Sequence, residues 1–302
     1  MHILITGASG FIGRWLVPRL RDAGHDVCAV VRASTELSSL EQFNVPVIRD
    51  DGVRDLQPDL ALYGPFDGVI HLASLFLASH RSEDLNPLLT SNVTFPTRLL
   101  DAAVRSEVRW FVNTGSTWQH FEERSYSPVN LYAATKQAFE SLAQYYVEAH
   151  GLRFVTLALC DTYGPHDTRP KLLNLWCRRA MTGEPLDMSE GLQKIDLVYV
   201  TDVVEAFKMA VDRLASDQWP DALMPTFCVS SGERYSLREL AELFEATTKI
   251  KLPIRWGSRP LRPREVMLPW RGEREVPGWT PKVSLREGLE RTWIAFSNST
   301  GG

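Results

Sequence analysis

Between residues 3 and 159, short apolar runs rich in β-branched residues alternate with helix-length amphipathic stretches. The runs fall at 3–6, 27–31, 45–48, 68–72, 108–114 and 154–159, and read as strands buried on both faces. The helical stretches lie between them, at 10–23, 54–62, 85–106 and 132–150. Strand and helix alternating at this pitch require right-handed crossovers and a sheet covered on both faces. The expected fold is therefore α/β, a Rossmann-type doubly wound parallel sheet. Gly24 and Gly151 follow the ends of two helices, where a C-cap glycine belongs.

Beyond residue 164 the rhythm breaks. Prolines at 165, 170, 185, 225, 253, 260, 263, 269, 277 and 281 cut the chain into shorter pieces. Helices are expected at 171–181, 202–214, 236–247 and 284–296, strands at 197–200 and 226–229, and a frayed tail at 297–302. Ser236 and Glu239 have the spacing of a capping box. The domain reading is a dinucleotide-binding domain over 1–163, rejoined by 195–215, and a smaller α+β substrate-binding domain over 164–302.

Composition removes several classes of function. Lysine plus arginine number 33 against 37 acidic residues, a net charge of −4, which argues against nucleic acid as the partner. Of those cations 26 are arginine, the better planar clamp for phosphates. No run of about 18 apolar residues is present, so no membrane span is expected. The N-terminus enters a strand with no basic leader, and Cys28, Cys160, Cys177 and Cys228 lie far apart without a C-x-x-C pair. A reducing cytoplasm is the expected setting. The seven histidines (2, 25, 71, 80, 120, 150 and 166) show no ligand spacing, so no metal is expected. Of these, His120 and His166 are expected near the crevice in a substrate or surface role.

Gly7, Ser9, Gly10, Phe11, Ile12 and Gly13 lie between the first strand and the first helix. Glycines at this spacing permit a tight turn, close approach of a pyrophosphate to backbone N–H groups, and close helix–sheet packing. In this strand–turn–helix setting the loop points to a dinucleotide. The second strand should end over the adenosine ribose, where an NAD site wants a carboxylate. This chain has Arg32 there, followed by Ala33 and Ser34. A guanidinium would bind a 2′-phosphate, so NADP is expected over NAD.

Ligands of open α/β sheets sit at the carboxyl ends of the strands. The run 108–114 ends just before Ser116 and Thr117, and Tyr132 and Lys136 then stand one turn apart on a helix. A carbonyl receiving hydride needs a proton donor, and a phenol can serve if its pKa of about 10 is lowered. Lys136 is expected to lower it and to hold the nicotinamide ribose, while Ser116 orients the substrate oxygen. The bland alternative is an aromatic packed on the sheet beside a solvated lysine.

Taken together, these residues resemble the extended short-chain dehydrogenase/reductase family of NAD(P)-dependent sugar-nucleotide epimerases, dehydratases and reductases. The resemblance spans nearly the whole chain: residues 6–13, 71–74, Asn92, Ser116, Tyr132, Lys136, Tyr163-Gly164-Pro165, the stretch 196–202, Arg262-Pro263, and 278–281. It implies that Ser116, Tyr132 and Lys136 are catalytic. It also implies that Leu72, Ala73 and Ser74 line the cofactor, that Tyr163 lies near the nicotinamide, and that Asp51 holds the adenine. Arg262 is implied to face the substrate diphosphate, with Thr117, Asp161 and Lys171 as further substrate contacts. A homodimer through the helices 85–106 and 132–150 is implied as well.

Departures narrow the chemistry. Family dehydratases follow the catalytic hydroxyl with an Asp-Glu pair, whereas here Trp118, Gln119 and His120 follow. Ala158 and Ile195 stand where the family carries arginines, so those substrate contacts do not transfer. Asn113 to Ser116 together with Lys171 look most like a 4-ketoreductase of the CDP-abequose synthase type. The expected activity is NADPH-dependent reduction of the 4-keto group of a nucleotide-linked 4-keto-6-deoxyhexose, with a sugar-nucleotide epimerase as the alternative. A non-enzymatic cofactor-sensing scaffold would be marked by loss of Ser, Tyr or Lys from the triad, and all three are present.

Overall fold

The computed structural model describes residues 1–216 and 223–300. Six strands arise where the apolar runs predict them: β1 (His2–Thr6), β2 (Asp26–Arg32), β3 (Val47–Asp50), β4 (Gly68–His71), β5 (Trp110–Ser116) and β6 (Arg153–Leu159). Two short strands, β7 (Asp161–Tyr163) and β8 (Leu197–Tyr199), pair with each other, and β9 (Thr226–Val229) follows. The large sheet has seven strands in the order β9-β6-β5-β4-β1-β2-β3, all parallel. Its register sets Thr6 beside His71 and His71 beside Asn113, so β1 and β4 end level while β5 runs on to Ser116.

Successive strand residues enter opposite cores, as a pleat buried on both faces dictates. Ile3 and Ile5 pack with Leu16, Val17 and Leu20 of α1 (Phe11–Asp22), while Leu4 packs on the other face. That other face is covered by α2 (Gln57–Tyr63), α3 (Leu85–Leu89, Thr90–Thr94 and Phe95–Arg105 in succession) and α4 (Leu131–His150), through Leu60, Leu99 and Phe139. A third core unites Tyr163 and Tyr199 with α5 (Leu172–Thr182), α7 (Leu237–Thr248) and α8 (Leu285–Thr300). Ser236 caps α7 in a full capping box with Glu239, and Gly151 closes α4 in the left-handed conformation.

Three expectations need correction. β9, placed by the sequence in the smaller domain, is the edge strand of the large sheet, joined to β6, whereas α6 (Val200–Ala215), inside the stretch 195–215 read as rejoining the first domain, packs with α1 through Val203, Phe207 and Val211. An isolated tetrapeptide such as Thr226–Val229 carries no sign of which sheet it will join. The expected tail continues as helix through Thr300, since Phe296 still finds apolar partners; Gly301 and Gly302 lie outside the described residues. Finally, the stretch 85–106 is interrupted by a π-helical turn, Thr90–Thr94.

That turn carries buried Asn92, whose amide is fully used. Its Oδ1 accepts from Leu75 N at 2.8 Å and Ser74 Oγ at 3.2 Å, and its Nδ2 donates to Leu75 O at 2.9 Å and Thr135 Oγ1 at 3.0 Å. One side chain thus ties the segment after β4 to α4. Asn92→Ala strands these partners and is expected to cost about 2–3 kcal/mol. Thermal unfolding followed by circular dichroism should show a lowered midpoint, and an unchanged midpoint contradicts the tether.

Candidate active site

The glycine loop joins β1 to α1. Gly7 has φ +70°, and a Cβ there would lie 2.7 Å from Ala73 N, so the loop and the segment after β4 are in contact. A Cβ on Gly13 would lie 2.3 Å from Gly7 O, which forces glycine where α1 leans on the loop. A Cβ on Gly10 meets only Gly7 O, at 3.1 Å, and the residue is exposed on its outer side. The first turn of α1 has no side-chain cap and no acidic residue. Its orphan N–H groups and the positive end of the helix dipole are therefore available to an anion, and these features fit a dinucleotide pyrophosphate.

The remaining cofactor candidates spread along the carboxyl edge. Leu72 N donates to Thr6 O at 3.2 Å and Ala73 N to Thr6 Oγ1 at 3.2 Å. Phe11 turns its ring to Arg169, whose guanidinium lies 4.5 Å from the ring centroid, and Ile12 packs on the first core. Arg32, at the end of β2, is exposed and makes no side-chain hydrogen bond or ion pair among the described residues. Asp51 Oδ1 accepts the N–H groups of Val53 and Arg54, both at 2.9 Å, and these bonds hold its carboxyl below the usual carboxylate range. Tyr163 departs from its expected place. Its ring lies in the third core, 5.5 Å from that of Tyr199 and so close to Gly288 that a Cβ there would sit 2.0 Å from its Oη.

The triad candidates converge. Asn130 caps α4, accepting from Ala133 N at 3.0 Å and donating to Ala78 O at 3.0 Å, which anchors the helix start to the 77–78 segment. Tyr132 is buried, the hydroxyls of Ser74 and Ser116 act on its phenol, and Lys136 Nζ lies 6.0 Å from the Tyr132 ring centroid. The protonation states differ from the expectation. Burial pushes the Tyr132 phenol up to about 12, against the pull of Ser74, Arg169 and Ser116. Lys136 is not among the groups that pull it down; its own ammonium is buried and brought down to about 8. His71, enclosed by Phe95, Phe111 and Phe139 and bonded to Thr6 Oγ1 at 2.8 Å, is held neutral by burial and by Lys136.

An aromatic and cationic wall stands over this pair. Phe76 meets Tyr132 edge-on at 5.0 Å and Trp118 at 5.6 Å. Lys171 Nζ sits 4.0 Å from the Phe76 centroid and 2.7 Å from Asp161 Oδ1, so these two substrate candidates hold each other. Arg262 lies 5.4 Å over Trp118 and is gripped by both oxygens of Glu265, at 2.9 and 2.7 Å. Thr117 turns away; its buried hydroxyl donates to Leu159 O at 3.4 Å. The wall is bolted to the connector between Ser116 and Tyr132: Arg264 donates to Pro128 O at 3.0 Å and Ser127 Oγ at 2.8 Å, and His120 stacks on Trp270 at 3.8 Å. His120 therefore has a structural contact.

Phe76, Trp118, Glu265, Asn130 and Glu140 were not marked as site residues by sequence reasoning. Two carried a usable signal: Asn130 stands at the N-cap position, and Glu140 stands one turn beyond Lys136. Among the described residues no group of three or more His, Cys, Asp or Glu could hold a metal, and no helix is long and apolar enough to cross a membrane.

Known proteins share sequence and fold with this chain. Residues 3–223 match the NAD dependent epimerase/dehydratase family. The chain is 26% identical to the CDP-abequose synthase of Salmonella typhimurium, over 96% of each chain. It is 30% identical to the UDP-glucose 4-epimerase of Mycolicibacterium smegmatis, over 99% of this chain and 100% of that one. The solved structure of MoeE5 in complex with UDP-glucose and NAD superposes with a TM-score of 0.84 at 27% identity, covering 99% of both chains. The match covers well over half the chain, and with a glycine loop and a Ser–Tyr–Lys cluster at the carboxyl edge of a parallel sheet, this protein belongs to the NAD dependent epimerase/dehydratase family.

Proposed function

We propose that the protein reduces the 4-keto group of a nucleotide-linked 4-keto-6-deoxyhexose with NADPH. The carrying observation is the buried Tyr132 phenol on which the hydroxyls of Ser74 and Ser116 act, with Trp118 and Gln119 in the positions after Ser116 and Thr117. Those two side chains supply neither acid nor base for dehydration. A phenol pushed up to about 12 is protonated at neutral pH, which suits a group that must give a proton at the outset. When bound, the nicotinamide supplies the hydride. Tyr132 then delivers its proton to the carbonyl oxygen, and Ser116 holds that oxygen by a hydrogen bond. Arg262, Lys171 and the faces of Phe76 and Trp118 are the side chains we assign to the nucleotide sugar. The similarity to CDP-abequose synthase supports this reading.

The second reading, a sugar-nucleotide epimerase, is supported by the 30% identity to a UDP-glucose 4-epimerase. An epimerase must first take a proton from a sugar hydroxyl, for which a protonated phenol is the wrong starting state. A panel of CDP-, dTDP-, GDP- and UDP-linked 4-keto-6-deoxyhexoses with NADPH separates the two. Net oxidation of NADPH is expected with at least one of them. Stoichiometric cofactor retained through purification, with interconversion of sugars and no net oxidation, would overturn the reductase.

Tyr132→Phe is expected to leave cofactor affinity near wild type and lower kcat by a factor on the order of 10²–10⁴. Turnover within threefold of wild type removes Tyr132 from the chemistry.

The preference for NADPH rests on Arg32, whose exposed guanidinium at the end of β2 has its donors free among the described residues. MoeE5 carries NAD, so the two cofactors must be compared directly. A charge-assisted contact contributes roughly 1.5–3 kcal/mol, so Arg32→Ala should weaken NADPH tenfold or more relative to NADH. Equal losses, measured by nicotinamide fluorescence, would sink the assignment.

We also propose a homodimer through α3 and α4. Leu88, Leu99, Leu100, Phe139, Ala143 and Val147 are spent inside the chain's own core, and Tyr146 is partly buried with its hydroxyl 3.3 Å from Asp101. Leu85, Leu89, Leu142 and Tyr145 remain exposed on these helices. Light scattering should give a dimer at micromolar concentration and a monomer for Leu142→Asp, and a monomeric wild type refutes the contact.

A further inference from the structure

Beneath the triad lies a polar network that the proposed chemistry does not use. Tyr132, Lys136 and Glu140 form a column on α4, one residue per turn, facing the sheet. Glu140 Oε1 accepts from Gln119 Nε2 at 3.2 Å, Asn113 Nδ2 at 3.3 Å and Thr156 Oγ1 at 3.4 Å. Gln119 in turn accepts the Ser116 N–H on its Oε1 at 2.9 Å. The network therefore runs from the main chain of Ser116, through one amide, to a carboxyl one turn below Lys136.

Lys136 needs such a neighbour. It is 2% exposed, and its Nζ has no hydrogen-bond or ion-pair partner among the described residues. The titratable groups facing it are Tyr132 and Glu140 on its own helix and His71 on β4. Tyr132 and His71 are neutral for the reasons given above, which leaves Glu140 as the group whose charge raises the Lys136 pKa. Glu140 is itself pushed up to about 7 by burial, against the pull of Gln119, Lys136 and Thr156.

We propose that Glu140 is a positioning residue for the triad, keeping Lys136 an ammonium from one turn below and fixing the Ser116 main chain through Gln119. The proposal rests on the triad reading of Ser116, Tyr132 and Lys136. It assigns Glu140 no contact with substrate or cofactor.

The chain has seven lysines, few enough to follow individually. In full-length protein with carbon-13 at the lysine Cε, the Lys136 signal is identified by its loss in Lys136→Met and titrated against pH. Glu140→Gln keeps the side-chain shape and removes the charge, so the Lys136 midpoint should fall by about one pH unit while the other six hold. A midpoint unmoved from wild type overturns the electrostatic half of the proposal. Gln119→Leu tests the other half and does not depend on Glu140→Gln folding. It should lower kcat at least fivefold with the NADPH affinity unchanged, and an unchanged kcat overturns it. If no nucleotide sugar is turned over, the function reading fails while the lysine titration still decides the role of Glu140.

Discussion

Burying an ammonium is the constraint around which the site is arranged. Lys136 sits against the sheet, where an unpaired charge is costly, and the structure meets that cost with position rather than with an ion pair. α4 is held at its start by Asn130 and along its flank by the Asn92 amide, so the column Tyr132, Lys136, Glu140 has little freedom to swing away. The same dryness that lowers the lysine raises the tyrosine. Both shifts have one cause, burial among aromatic rings and neutral His71.

This dryness also bears on the choice between reductase and epimerase. Burial raises the phenol against the pull of the Ser74 and Ser116 hydroxyls, so the proton stays on its oxygen. On the proposed reductase reading, that protonated phenol is the form that gives its proton to the sugar oxygen.

Much of this was legible in the residues because it obeys local rules. Gly7 and Gly13 are glycines because nothing else fits between a strand end and a helix, and Tyr132 and Lys136 announce themselves by sharing one helix face. The capping box at Ser236 is written in two letters three apart. The wall of Phe76, Trp118, Lys171 and Arg262 was half visible, since its members come from distant segments whose meeting has no period. Tyr163 misled for a related reason. Its motif lies at the crevice, but the pairing of β7 with β8 and the bare Gly288 surface draw its ring into the third core. The phenol's protonation state was misjudged because spacing places a charge one turn away without saying how much water lies between.

The clasp between residues 262–271 and the connector 117–129 has a mechanical consequence. Arg262 and Arg264 sit one residue apart on a single strap, the first over Trp118 and the second fastened to Ser127 and Pro128. Force applied to the strap by a ligand therefore reaches the two ends of that connector, Ser116 and Tyr132, without crossing the sheet. On the proposed function, with Arg262 holding the nucleotide sugar, the distal portion of the substrate would tension the groups that act on its reactive carbon, and binding energy gathered far from the carbonyl would be expressed as rate. A fragment lacking that distal portion would leave the strap slack and be processed slowly even when saturating.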